Sequence, residues 1–274
     1  MRTHSPALVG CGGPEPGLTG RRPAIATLRT ARPHQVWQID AAEQVGLRSG
    51  QRVSWLRVVD ECSGAVLRTV VFPQGNWLKV PPTAVQEHLR KAFVCWGLPE
   101  IVRVDNGGPW GSAGDLPPDL ALWLLGLGIE VHWNDPHTPQ QNGVVERSQG
   151  TGKRWAEPGQ CDSVAELQQR LQEMDTIQRE VYPSIQGQSR SAAYAGLRHS
   201  GRPYSRRWER RHWEQQRALD HLAGYVLKRR VDKNGDVSLY HRPHYVGCMH
   251  QRKEVYVLVD PQRVEWLLVD RQGR

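Results

Sequence analysis

The chain has 274 residues, a hydrophobic share of 38% and 11 Trp, enough for one domain of ordinary size and a smaller one with real cores. A formal net charge of +8 and a pI near 9.5 point to a polyanionic partner, and no apolar run approaches the roughly 20 residues of a membrane span. The five cysteines are scattered, with no CxxC pair and no zinc-finger spacing, which argues against a disulfide scaffold and reads as reduced thiols in a cytoplasmic protein.

Residues 1–33, rich in Gly, Pro, Arg and Thr and without periodicity, read as an irregular arm. Order begins at "HQVWQIDAAEQV". The runs "RVSWLRVVDE" and "AVLRTVVFP" follow, and the three predict a meander of strands. "PPTAVQEHLRKAFVCWG" predicts a helix, with prolines at its start, Val85, Leu89, Ala92, Phe93 and Trp96 at helical spacing, and Gly97 as a stop. "EIVRVDNGG" predicts a short buried strand ending in a turn; Asp60 and Glu61, which close the earlier strand "RVSWLRVVDE", read as turn residues. "LPPDLALWLLGLG" predicts an apolar helix, "IEVHWND" a strand, and "QQNGVVERSQGTGKRW" a helix entered through a loop. The order βββ-α-β-α-β-α gives a mixed sheet with helices on its faces.

Beyond it, "SVAELQQRLQEMDTIQREVY" predicts an amphipathic helix packed through Val164, Leu167, Leu171, Met174 and Ile177. "RRWERRHWEQQRALDHL" predicts one basic helix. From Tyr225 come short alternating strands, with a hairpin turn at Asn234-Gly235, which together predict a small β-barrel. Residues 1–200 hold 20 Lys/Arg against 19 Asp/Glu, whereas 201–274 hold 16 against 9. The basic surplus therefore marks the tail as a candidate DNA-binding region through Arg206, Arg207, Arg210, Arg211, Lys228, Arg229 and Arg230.

Three carboxylates stand out. Asp40 lies within the first strand, where an unpaired charge is costly. Asp105 ends the fourth strand, and Glu146 lies on the third helix. If the first and fourth strands are neighbours, the three converge. Carboxylates without a His or Cys set suit Mg²⁺ or Mn²⁺, and two such ions can clamp the oxygens of an in-line phosphoryl transfer. Asn142, Glu146, Gln149 and Lys153 share one helix face, expected to point outward, with Lys153 and its neighbour Arg154 meeting phosphates. His132 is expected to pack and His137 to order its loop. Trp110 could cover the DNGG turn or stack on a base.

"WQID", "VRVDNGGPW" and "HTPQQNGVVERSQGTGKRW" together resemble the integrase core of DDE transposases and retroviral integrases, and look closest to bacterial insertion-sequence transposases. The resemblance covers about 34–200. It implies an RNase H-like α/β fold with a five-stranded mixed sheet over 34–160, then a helical linker over 161–222 and the barrel over 223–274. It also implies a catalytic and metal-binding triad of Asp40, Asp105 and Glu146 that uses two Mg²⁺ or Mn²⁺ ions for DNA cleavage and strand transfer. Double-stranded DNA and a second copy of the chain are the implied partners. Neither helix-turn-helix modules nor a zinc-binding domain is visible before Pro33. The expectation is a truncated copy or one part of a split transposase, with a separate helix-turn-helix subunit as a further partner. The rival readings are a DNA-binding remnant without activity and an RNase H-like nuclease that does not join ends.

Overall fold

The computed structural model describes residues 30–73, 80–111, 115–134 and 142–269. The chain divides between Ala218 and Leu219 into two compact units. In the first, β1 (Val36–Gly46), β2 (Arg52–Asp60) and β3 (Val66–Pro73) form an antiparallel meander. Then come α1 (Pro82–Trp96), β4 (Ile101–Val104), α2 (Asp119–Gly126), β5 (Glu130–Trp133) and α3 (Gly143–Ala156). The helical crossovers make β4 parallel to β1 and β5 parallel to β4, and the sheet order is β3-β2-β1-β4-β5. This is the mixed five-stranded sheet expected of an RNase H-like core. The irregular arm expected at 1–33 lies almost wholly outside the described residues, as does His137.

Alternation along the strands builds two cores. Trp37 and Ile39 of β1 and Leu56 and Val58 of β2 face Leu89 and Phe93 of α1 and Leu124 of α2. Ala42, Val53, Trp55 and Val71 face the other way, toward Ala156 of α3 and Leu167 and Leu171 of α4 (Val164–Thr176). Both faces of the sheet are thus covered, and β2 is buried from Val53 to Asp60. The expected helix 163–182 is shorter than its pattern. It passes at Ile177 into a π-helical turn, Ile177–Val181, and Ile177 is exposed rather than packed.

Helix α4 and that turn have a task at the sheet edge. The Gln168 side chain accepts from the Val71 N–H (2.8 Å) and donates to the Thr69 carbonyl (3.1 Å). Gln178 does the same with the Val66 N–H (3.1 Å) and the Gly64 carbonyl (2.8 Å). Two glutamines therefore satisfy outward backbone groups of edge strand β3 that would otherwise template another strand.

The first unit continues with α5 (Arg190–Ala193) and α6 (Arg206–His212), and α7 (Gln215–Ala223) spans the division. The single basic helix expected here is broken. Trp213 is extended, its indole donates to the Trp123 carbonyl (3.2 Å), and the Glu214 N–H bonds the Gly126 carbonyl (3.0 Å). A Cβ at Gly126 would lie 2.1 Å from the Trp213 Nε1, so the missing side chain admits the indole. Docking on the end of α2 overrides the helical pattern.

The second unit contains β6 (Leu227–Arg230), β7 (Asp236–Leu239), β8 (Arg242–Tyr245), β9 (Glu254–Asp260) and β10 (Glu265–Val269). Val255, Val257 and Val259 alternate as one buried face, and Val231, Val237 and Val255 form a small core. The expected closed barrel is not formed by the described strands. β10-β9-β6 and β7-β8 are separate open sheets. Pro243 in β8 has no N–H to extend a ladder, which suits an edge. The hairpin turn is set by Asp232, which accepts from the Asn234 (2.7 Å) and Asp236 (2.9 Å) N–H groups, with Gly235 at φ 84°. No helix among the described residues is long and apolar enough to cross a membrane.

Replacing both edge-capping glutamines, Gln168→Leu with Gln178→Leu, strips partners from three backbone groups of β3 and from the Gly64 carbonyl just before it. Each buried group left unpaired costs about 1–3 kcal/mol. The double variant is expected to melt lower than the parent and to self-associate in light scattering at matched concentration. Parent-like melting and mass would contradict the role of the glutamines.

Candidate active site

The parallel ladder between β1 and β4 pairs Val36 with Ile101, Trp37 with Val102 and Gln38 with Arg103. Continuing that register by two residues sets Asp40 beside Asp105, on the same face as Gln38 and Arg103. That face is the one toward α3, because the Gln38 Oε1 accepts from the Val145 N–H (2.9 Å) and the Gln149 Nε2 donates to the Asp40 carbonyl (3.1 Å). The helix therefore runs beside β1, with Glu146 between its two points of attachment.

The electrostatics agree. The Asp40 carboxyl is pushed up to about 6, first by burial and next by the charge of Asp105, with a smaller push from Glu146. Burial also raises Asp105, offset by the Gly107 N–H, which donates to its Oδ1 (3.1 Å). A Cβ at Gly107 would sit 2.9 Å from the Asp105 Oδ2, so a side chain there would push this carboxylate aside. Among the described residues, no three His, Cys, Asp or Glu side chains converge closely enough to hold an ion in the conformation observed. The donor set itself suits one. It consists of anionic oxygens without thiolate or imidazole, and it includes a carboxylate whose charge is destabilised until a cation offsets it.

The helix face differs from expectation. Val145, Ser148, Gln149, Gly152 and Ala156 form the buried stripe of α3. Asn142 and Gln149 are buried rather than outward, at 4% and 6% exposure, while Glu146 and Lys153 are exposed on one shoulder of the stripe. Lys153 lies roughly 10 Å along the axis from Glu146. Arg154 is exposed on the side away from the sheet.

The row beneath the carboxylates carries residues that sequence reasoning missed. The Glu61 Oε2 accepts from the Gln38 Nε2 (2.8 Å) and from the Arg103 Nη1 (2.5 Å), so Glu61 is more than a turn residue. Asp60 is fully buried and accepts from the His34 N–H (2.6 Å) and the Ser63 N–H (2.8 Å). Gln38, two residues before Asp40 in a strand, could have been inferred to share its face. Trp110 is core, at 2% exposure, and its carbonyl accepts from the Trp133 indole (3.0 Å). His132 is buried in β5 and meets the Glu130 carboxylate at 3.1 Å.

No family model matches the chain. Over 128 residues, 46% of its length, it is 27% identical to the Intracisternal A-particle Pol-related polyprotein of Mouse intracisternal a-particle MIA14, and the match spans 13% of that protein. Among solved structures it is similar to the HTLV-2 integrase catalytic core domain in complex with magnesium (17% identity, 62% of this chain and all of that one, TM-score 0.46). It is also similar to a chain of the simian T-cell lymphotropic virus intasome in complex with PP2A regulatory subunit B56 gamma (16% identity, 90% of this chain and 76% of that one, TM-score 0.49). None of these three is a bacterial insertion-sequence transposase.

The basic candidates divide between the units. Arg206, Arg207, Arg210 and Arg211 are exposed on α6. That helix is pinned from below by Glu209, which is paired with Arg90 (2.6 Å) and bonded by the Trp123 indole (3.0 Å). Arg206 also reaches Glu87. In the second unit Lys228 pairs with Glu254 (2.7 Å), Arg229 donates to the Ser238 carbonyl (3.2 Å), and Arg230 is exposed.

A carboxyl raised from 3.8 to about 6 costs stability. The folded chain holds a proton that the unfolded chain has lost, so stability falls as pH rises from about 4 to 6 and stays lowered above. Asp40→Asn is therefore expected to raise the melting temperature of the metal-free chain at pH 7, by an amount worth up to about 3 kcal/mol. The same substitution at pH 4 should change little. A destabilised variant at pH 7 would show that Asp40 is held by favourable contacts instead.

Proposed function

We propose that the chain cuts and joins DNA strands as a metal-dependent polynucleotidyl transferase, with Asp40, Asp105 and Glu146 as its carboxylates. The observation that carries this reading is the Asp40 carboxyl pushed up to about 6 by burial and by the nearby charge of Asp105, which the β1–β4 register, continued two residues past Gln38 and Arg103, sets beside it, with Glu146 on the helix shoulder. Likeness to a Pol-related polyprotein supports it.

These three side chains would hold one or two Mg²⁺ or Mn²⁺ ions. Such ions, when bound, activate an attacking oxygen and neutralise charge on the phosphate. The chain's own residues do the rest. Gly107 and its N–H keep Asp105 turned into the site. Lys153, on the Glu146 shoulder, binds a backbone phosphate, and Arg154 adds positive charge farther round the helix. Arg206, Arg207, Arg210 and Arg211, with Lys228, Arg229 and Arg230, bind duplex phosphates with little sequence preference. Below pH 6 the Asp40 carboxyl takes up a proton, so cation affinity is expected to fall as pH drops through that value.

Asp40→Asn, Asp105→Asn and Glu146→Gln are each nearly isosteric and delete one anionic oxygen. Each is expected to lower Mn²⁺-dependent nicking and 3′-end joining of oligonucleotides by orders of magnitude while leaving the fold intact. Near-parent activity in any one of them would remove that residue from the site. Nicking without joining in the parent would favour a nuclease, and DNA binding without either would favour an inactive remnant.

DNA affinity is expected to fall with salt at a log–log slope of about −0.9 per phosphate neutralised. Lys153→Ala should reduce that slope by about one unit. An unchanged slope would leave Lys153 a solvated surface residue.

A further inference from the structure

Arg57 lies in the middle of β2, 2% exposed, among apolar neighbours. It is the cross-strand partner of Asp40 on one side and of Thr69 on the other, so all three side chains leave the same face of the sheet. Its guanidinium does not stay with the strands. The Nε donates to the Thr69 Oγ1 (3.0 Å), Nη1 to the Ser148 carbonyl (2.5 Å) and Oγ (3.1 Å), and Nη2 to the Asp175 Oδ1 (3.0 Å). Asp175, on α4, is buried as well, at 6% exposure. One cation thus joins β2, β3, α3 and α4.

The approach to α3 is close. A Cβ at Gly152 would stand 2.6 Å from both terminal nitrogens of Arg57. Glycine inside a helix costs about 1 kcal/mol relative to alanine, and here its absent side chain is what lets the guanidinium reach a helical carbonyl. Ser148 is two residues from Glu146 and next to Gln149, which bonds the Asp40 carbonyl and the Trp55 indole. Bonds at Val145 and Gln149 already tie α3 to Gln38, to the Asp40 carbonyl and to the Trp55 indole. The directional bond from Arg57 to the Ser148 carbonyl, anchored at its far end by Asp175, adds a buried tie to β2 and α4 between them.

We propose that the buried Arg57–Asp175 pair is a positioning device of the carboxylate site, holding α3 by Ser148 at the height that keeps Glu146 within reach of Asp40 and Asp105. This rests on the reading of those three carboxylates as one site. Arg57 touches no substrate in this account. It acts through the helix, and a shift of about 1 Å at a reacting centre can cost about 100-fold in rate.

The test uses the full chain with Arg57→Met combined with Asp175→Leu, since replacing both buried charges by apolar groups often preserves stability where removing one does not. Arg57→Lys, which keeps the charge but not the fork, is the second variant. Melting temperature reports the fold, and amide hydrogen exchange over 143–156 reports the hold on α3. Mn²⁺ affinity by calorimetry and kcat and KM for oligonucleotide nicking report the site. The expected result is a folded double variant with faster exchange confined to α3, Mn²⁺ affinity down at least about tenfold, and kcat down about 100-fold with KM for DNA unchanged. Arg57→Lys should fall between parent and double variant. Folded variants with parent-like α3 exchange and Mn²⁺ affinity would overturn the proposal, as would loss of protection spread evenly over the sheet, which marks general destabilisation. A parent chain without nicking activity would sink the functional reading, while the exchange at α3 would still decide whether Arg57 positions it.

Discussion

A guanidinium buried between sheet and helices is the constraint around which the first unit is arranged. Arg57 cannot be left unpaired, because breaking a buried ion pair by removing one partner costs roughly 3–5 kcal/mol. Asp175 must therefore come from α4, a hydroxyl from β3 and a carbonyl from α3. Gly152 must lack a side chain. Each requirement locks a separate element to the middle of the sheet, and together they place the helix that carries Glu146.

The same face carries the opposite problem a few ångströms away. Asp40 is half-buried beside Asp105, and no guanidinium is spent on it. Arg57, its cross-strand neighbour, donates to Thr69, Ser148 and Asp175, and Arg103, one row below, is held by Glu61. The Asp40 carboxylate thus lacks a cationic partner, and burial and the Asp105 charge outweigh the hydrogen bonds of Ala41 and Gln149 and move it up to about 6. A fold selected only for stability would place an amide there. A strained carboxylate pair that a divalent cation would relieve is what a metal-dependent phosphoryl transfer requires, and stability lost at such a site is a common trade.

Much of this could be read in the sequence because local patterns coincide with tertiary roles. The meander followed by alternating units predicted a mixed sheet in which the first and fourth strands can be neighbours, and DNGG after a strand and NGVVER at the start of a helix singled out Asp105 and Glu146 as candidates. What escaped depends on contacts between distant segments. Arg57 looks like one charge in an apolar strand, and Asp175 like a polar position on an amphipathic helix. Nothing local links residues 118 apart. Gln168 and Gln178 read as helix surface, although they finish the sheet edge. The break at Trp213 follows from a gap at Gly126 that only the folded α2 presents. In the tail, the alternation of Val255, Val257 and Val259 predicted buried strands correctly, but whether short strands close into a barrel depends on pairings that a period of two does not encode.

The central claim is that Asp40, Asp105 and Glu146 form one cation site. Crystals of the chain soaked in Mn²⁺ test it most directly, through anomalous scattering. The account predicts a manganese peak bound by both Asp40 and Asp105, with Glu146 oxygens at or near its coordination sphere, and loss of that peak in Asp105→Asn. A fully occupied ion bound elsewhere, with Asp40 and Asp105 left bare, would contradict it.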